Sequence, residues 1–236
     1  MAVRELDRLR AAPELAAVLL DIDGTLAPIV DRPEDSAVPE ETRVVLRGLV
    51  ERYRLVGAVT GRPGSLGRRL VAVDGIDVVG SHGLELADGA DDWRARLQRF
   101  RQTVDWPVED KGLGLSYHYR LHEDPGAARS YLEGVAERAR AAGLRARFGR
   151  MVLEVIPPLD AHKGTAVRAL LARAGLTRAL FAGDDTTDLD AFGAVEELEV
   201  GVKVAVASSE APPELLTRAD VVVPGPAGLV DLLRTL

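Results

Sequence analysis

The chain has 236 residues, 47% of them apolar, no cysteine, and 30 Lys and Arg against 37 Asp and Glu, a formal charge of −7. That composition supports the core of one domain, or of one with a modest insertion, and excludes wholesale disorder. The acidic balance excludes a basic field for nucleic acid or anionic lipid, and the missing cysteines exclude a disulfide scaffold, a thiolate zinc site and a cysteine nucleophile. The first ten residues carry charges of both signs and lack the apolar core of a signal peptide, and no run nears the roughly 18 apolar residues that span a bilayer. A cytoplasmic protein with no membrane partner is expected. Residues 17–22, apolar apart from Asp21 and ended by Asp23-Gly24-Thr25, predict a buried parallel strand. Pro39 opens a helix to about Arg52 with Val44, Val45, Leu49 and Val50 on its inner face. A strand at 55–59, a helix at 63–71 and a strand at 77–81 follow.

Between 87 and 158 the pattern changes. Residues 93–104 predict a helix, 114–120 an alternating strand, 126–142 an Ala-rich and Arg-rich helix, and 146–156 a hairpin turning at Gly149-Arg150. From Lys163 the alternation resumes, with helices at 163–174, 187–195 and 213–218, strands at 179–182, 200–207 and 221–223, and a last helix to Leu236. Strands alternating with helices imply an open α/β fold, a Rossmann-like parallel sheet covered on both faces. The expected organisation is a core of residues 1–86 and 159–236 with an inserted α+β unit at 87–158.

Four segments carry chemistry, and all fall at the carboxyl edge of the predicted sheet, where open α/β sheets bind ligands. The first strand ends in Asp21-Ile22-Asp23-Gly24-Thr25. In an extended chain Asp21 and Asp23 point to one side, and two like charges so close call for a cation, for which Mg²⁺ with oxygen ligands is the natural choice. The second strand ends in Thr60-Gly61-Arg62, His162-Lys163-Gly164 opens a helix, and Gly183-Asp184-Asp185-Thr186-Thr187-Asp188 closes a later strand with a carboxylate cluster. Only Lys111, Lys163 and Lys203 are lysine among the basic residues. A compact ammonium is thus retained where a guanidinium fork would not serve.

In the order and spacing of Asp21-x-Asp23, Thr60, Lys163 and Gly183-Asp184-x-x-x-Asp188, the chain resembles the haloacid dehalogenase superfamily of phosphohydrolases. The resemblance implies that Asp21 is the nucleophile and forms an acyl phosphate, and that Asp23 is first general acid and then general base. It implies that Thr60 and Lys163 bind the transferring phosphoryl group, with Gly61 and Arg62 on the substrate side. Mg²⁺ would be held by Asp21, the Asp23 carbonyl and Asp184, with Asp188 beside or behind it.

The inserted unit occupies the position of a class II cap, and its segments resemble trehalose-6-phosphate phosphatases. The matching stretches are Leu20-Asp-Ile-Asp-Gly-Thr-Leu-Ala-Pro-Ile29, Gly80-Ser-His-Gly-Leu-Glu85, Val108-Glu-Asp-Lys111 with Tyr117-His-Tyr-Arg120, Val152-Leu-Glu-Val-Ile-Pro157 and Gly183 through Phe192. A disaccharide offers many hydroxyls, for which carboxylates beside a cation are suitable partners. Glu109, Lys111 and Glu154 fit that role, with Arg120 and His118 at the phosphate or sugar face, whereas His82 shapes a loop and His122 and Lys203 carry no functional signal. One departure is Leu189, where the family commonly has Glu. The implied function is Mg²⁺-dependent hydrolysis of trehalose 6-phosphate by a monomer whose partner is a small-molecule sugar phosphate. The competing readings are a phosphatase of sucrose 6-phosphate, mannosylglycerate phosphate or a hexose phosphate, and a catalytically silent binding module. A dinucleotide site is disfavoured, because the first strand lacks Gly-x-Gly-x-x-Gly and carries acids where pyrophosphate would lie.

Overall fold

The computed structural model describes residues 2–30, 32–149 and 151–236. In chain order the elements are α1 (Ala2–Ala11), β1 (Ala17–Leu20), α2 (Glu40–Arg52), β2 (Leu55–Val59), α3 (Gly64–Val71), β3 (Ile76–Val79), α4 (Ala90–Arg101), β4 (Glu109–Asp110), β5 (Leu115–His118) and α5 (Pro125–Ala141). They continue with β6 (Arg145–Gly149), β7 (Val152–Ile156), α6 (Lys163–Ala174), β8 (Arg178–Gly183), α7 (Asp188–Glu196), β9 (Val200–Ala207), α8 (Pro213–Arg218), β10 (Val221–Pro224) and α9 (Gly225–Arg234). Two compact units result, Met1–Gly83 with Ala161–Leu236, and Leu84–Asp160.

The first unit is built on a six-stranded parallel sheet in the order β10-β9-β8-β1-β2-β3. Every residue of β1 and β2 is buried, because helices cover both faces, and this is why these strands are continuous apolar runs. Strand alternation divides them between two cores: Val18, Leu20, Val56 and Ala58 pack with Leu6 and Leu9 of α1, Leu46 and Leu49 of α2 and Leu229 and Leu233 of α9. Ala17, Leu19 and Val59 pack on the other side with Val167 and Leu170 of α6 and Phe192 and Val195 of α7.

Two expectations need correction. Val44 is 57% exposed, whereas Leu49 is buried and Val45 and Val50 pack against the core beside Thr42 and Leu46. At about 100° per residue Val44 lies roughly 200° around the helix from Leu46, so the two cannot share a face. The third strand stops at Val79, since Ser81 and His82 take positive φ of 52° and 53° and turn the chain out of the sheet. α1, for which the sequence raised no expectation, covers the first core. The predicted turn at Gly149-Arg150 is flanked by the paired strands β6 and β7, and Arg150 lies outside the described residues.

The second unit carries an antiparallel sheet in the order β4-β5-β7-β6. Leu115, Tyr117, Leu153 and Val155 form its buried face against Leu97 and Phe100 of α4 and Leu132 and Val135 of α5. The opposite face mixes charged and polar residues with Val152 and Ile156. Register aligns Glu109 with Ser116, Ser116 with Glu154 and Glu154 with Arg147, so these four form one row across the sheet.

Candidate active site

The site of the first unit starts where β1 ends. The Asp21 N–H donates to the Ala182 carbonyl at 2.9 Å, which carries the β1–β8 pairing one residue past the strand. The chain then turns at Gly24, with φ of +79°; a Cβ there would lie 2.0 Å from Asp184 Oδ2. Glycine is thus demanded by both the backbone and the neighbouring carboxylate. Thr25 Oγ1, fully buried, donates to Asp184 Oδ1 at 3.0 Å and fixes that side chain.

Lys163 is the first residue of α6, whose start is fixed by a reciprocal cap between His162 and Thr165. Its Nζ lies 2.9 Å from Asp21 Oδ1 and 2.7 Å from Asp188 Oδ1, and the residue is only 2% exposed. Asp188 opens α7, and its Oδ2 accepts the backbone N–H groups of Asp184 and Asp185 at 3.0 and 2.9 Å. Asp21, Asp184 and Asp188 thereby bring one carboxylate oxygen each to within 4.8 Å of one another. Burial pushes the Asp21 carboxyl well above its usual range, and the charges of Asp188 and Asp184 push the same way against the attraction of Lys163. Burial, then Asp188, pushes Asp184 up to about 6. For Lys163, burial acts downward, but Asp188 and Asp21 outweigh it and hold the ammonium above its usual range. Three buried acids therefore face one buried cation, a donor set of hard oxygens whose excess negative charge a divalent ion would offset. The residues fit a Mg²⁺-type ion.

Asp23 lies beyond β1, which ends at Leu20. Its carboxylate is gripped by Arg62, Nε to Oδ2 and Nη2 to Oδ1 both at 2.7 Å, and Ser36 Oγ donates to Oδ1 at 3.0 Å. Thr60, buried at the end of β2, accepts the Arg62 N–H on Oγ1 at 3.1 Å. Its carbonyl accepts the His82 N–H at 2.9 Å, and the Arg62 carbonyl accepts the Ser81 N–H at 2.8 Å. A Cβ at Gly61 would lie 2.5 Å from His82 Nε2, so Gly61 makes room for that imidazole. Ser36 and Thr25 were given no role from sequence. Thr25 at least adjoins the first motif, whereas Ser36 lies in a loop with no local signal.

In the second unit, His118 Nε2 is 2.9 Å and Lys111 Nζ 3.6 Å from Glu109 Oε2. Burial acts to raise the Glu109 carboxyl, but the His118 hydrogen bond and the Lys111 charge prevail and hold it below its usual range. Glu154 shares the row of Glu109 and pairs with Arg147 at 2.7 Å. Arg120 is exposed in the turn after β5. Leu189 packs against the second core of the first unit, as a leucine on α7 should.

A family model described as Trehalose-phosphatase matches residues 19–106 and 98–221. A trehalose-phosphate phosphatase of Mycobacterium avium is 35% identical over 205 residues, 76% of this chain and 51% of that protein. An uncharacterized glycosyl hydrolase of Mycobacterium tuberculosis is 34% identical over 212 residues, 80% of this chain and 16% of that protein. The chain thus spans about half of the length of the first of these relatives and 16% of the second. A crystal structure of a trehalose-6-phosphate phosphatase related protein superposes with a TM-score of 0.73 at 26% identity, covering 93% of this chain and 96% of that one.

Proposed function

The chain belongs to the trehalose-phosphatase family, and from that premise we propose that it hydrolyses trehalose 6-phosphate to trehalose and phosphate through a phospho-aspartate at Asp21. The observation that carries this reading is the buried Asp21 held by Lys163 at the carboxyl end of β1, beside Asp184 and Asp188.

In the first step an Asp21 oxygen attacks phosphorus, an O–P bond forms, the bond from phosphorus to the sugar oxygen breaks, and Asp23 gives that oxygen a proton. In the second step Asp23 takes a proton from water, whose oxygen attacks the acyl phosphate, releasing phosphate and restoring the Asp21 carboxylate. Lys163, held charged by its two partners, opposes the burial that favours a protonated Asp21 and faces the negative phosphoryl oxygens. Thr60 Oγ1 accepts the Arg62 N–H, which leaves its own hydrogen to donate to the phosphoryl group. A divalent ion held by Asp21, the Asp23 carbonyl and Asp184, with Asp188 behind them, would supply charge neutralisation between nucleophile and dianionic substrate. Gly61 and Arg62 shape the loop beside the phosphate, with Arg62 acting through Asp23. Glu109, Lys111, His118, Arg120 and Glu154 supply acceptors and donors for the sugar hydroxyls.

The test is phosphate release from trehalose 6-phosphate, sucrose 6-phosphate, mannosylglycerate phosphate and glucose 6-phosphate, with Mg²⁺, with EDTA and with Ca²⁺. Trehalose 6-phosphate with Mg²⁺ is expected to give the highest kcat/KM, EDTA to abolish release, and Ca²⁺, which prefers a larger and looser shell, to fail to restore it. Preference for another sugar would replace the substrate and keep the chemistry. No release from any of them would refute the enzyme reading.

A further inference from the structure

We propose that Ser36 is a positioning residue that selects which oxygen of Asp23 exchanges the proton. The inference rests on the acid and base role given to Asp23 above. Ser36 is 4% exposed, a hydroxyl removed from water and aimed at Asp23 Oδ1 from 13 residues along the chain. Arg62 contributes one donor to each oxygen, Nη2 to Oδ1 and Nε to Oδ2. A carboxylate has about four acceptor positions, two on each oxygen. With Ser36 and Arg62 both on Oδ1, that oxygen is saturated, while Oδ2 accepts one bond among the described residues and keeps one position open. The proton given to the leaving group, and the one taken from water, therefore pass through Oδ2. The guanidinium fork fixes the carboxylate plane, and the serine closes the wrong oxygen. Without the hydroxyl, Oδ1 gains an open position, and the proton divides between the two oxygens.

A leaving group that departs without a proton should feel this much less than one that needs it, and the comparison requires no recognition of the sugar. The experiment measures kcat/KM of the parent, Ser36→Ala and Ser36→Thr with Mg²⁺ on 4-nitrophenyl phosphate and benzyl phosphate, and that of the parent on trehalose 6-phosphate. The benzyl to 4-nitrophenyl rate ratio is expected to fall roughly 10-fold in Ser36→Ala, a part of the ~10²–10⁴ that a general acid contributes, and to return in Ser36→Thr, which keeps the hydroxyl. Because the ratio is taken within one preparation, it does not depend on how much of a variant is folded. A ratio unmoved in Ser36→Ala, or lowered and not restored in Ser36→Thr, overturns the role of Ser36 while the phosphatase reading stands. A parent inactive on all three substrates overturns both, and a parent active on the aryl and benzyl esters but not on trehalose 6-phosphate overturns only the substrate.

Discussion

Replacing Lys163 by methionine removes the single buried cation of the site while keeping a side chain of similar length. The ammonium bridges Asp21 at 2.9 Å and Asp188 at 2.7 Å, with the three side chains 2%, 6% and 0% exposed. Water cannot take its place, so two carboxylates are left without their counterion, and a loss of about 3–5 kcal/mol is expected. Against a total stability of about 5–15 kcal/mol that is a large fraction, corresponding to a drop in Tm of roughly 6–20 °C for a chain of this size. Urea unfolding at pH 7.5 in EDTA, followed by far-UV circular dichroism, measures it. Tryptophan emission would not serve, because both tryptophans, Trp93 and Trp106, lie in the inserted unit. In Lys163→Met/Asp188→Asn one stranded charge is gone, and the double variant should be more stable than the sum of the single losses by roughly 1–3 kcal/mol. Lowering the pH should narrow the gap between Lys163→Met and the parent, because Lys163 pulls the Asp21 and Asp184 carboxyls down, and without it both take up protons more readily in the folded variant. A loss below about 1 kcal/mol, or strict additivity with Asp188→Asn, would refute the claim that this charge network stabilises the site.

The parent itself carries a pH signature in EDTA: Asp184 ionises at about 6 when folded against 3.8 when unfolded, so between these values the folded chain holds more protons and stability falls as pH rises. Between pH 5 and 7 a loss of about 1–2 kcal/mol is expected, reduced when Mg²⁺ is added; urea midpoints that rise over that window would contradict it. Asp21→Asn should fold and release no phosphate, while the parent, quenched in acid after brief exposure to labelled substrate, should retain an acid-stable and alkali-labile phosphate; a parent that carries no label would count against the covalent step. Glu154→Ala and Lys111→Ala should each lower kcat/KM for trehalose 6-phosphate about 10-fold or more, the equivalent of about 1.4 kcal/mol for a charged hydrogen bond, and change 4-nitrophenyl phosphate much less. Equal losses on both substrates would assign these residues to folding of the inserted unit.

The sequence alone determined the layered α/β core, because a strand buried on both faces must be apolar throughout and a covering helix must repeat with the helical period, both local properties. It also determined the chemistry-bearing residues at the sheet edge: Asp21, Thr60 and Asp184 each follow an apolar run directly, and Lys163 stands at a helix start, so neighbouring residues reveal each position. Only the tertiary structure decided how these groups divide among themselves. Asp21 and Asp23 stand two residues apart and looked like one acidic pair; the fold sends Asp21 to Lys163 and Asp23 to Arg62 and Ser36. Asp188 satisfies Lys163 and two backbone N–H groups at once, which no spacing foretells. The row from Glu109 to Arg147 exists through strand register, and the raised pKa of Asp184 through burial. The partnerships of Asp21 and Asp23 join residues 13 to 142 positions apart (Ser36 with Asp23, Lys163 with Asp21), and the desolvation that sets their charges depends on every neighbouring element, so they arise only when the whole chain has packed.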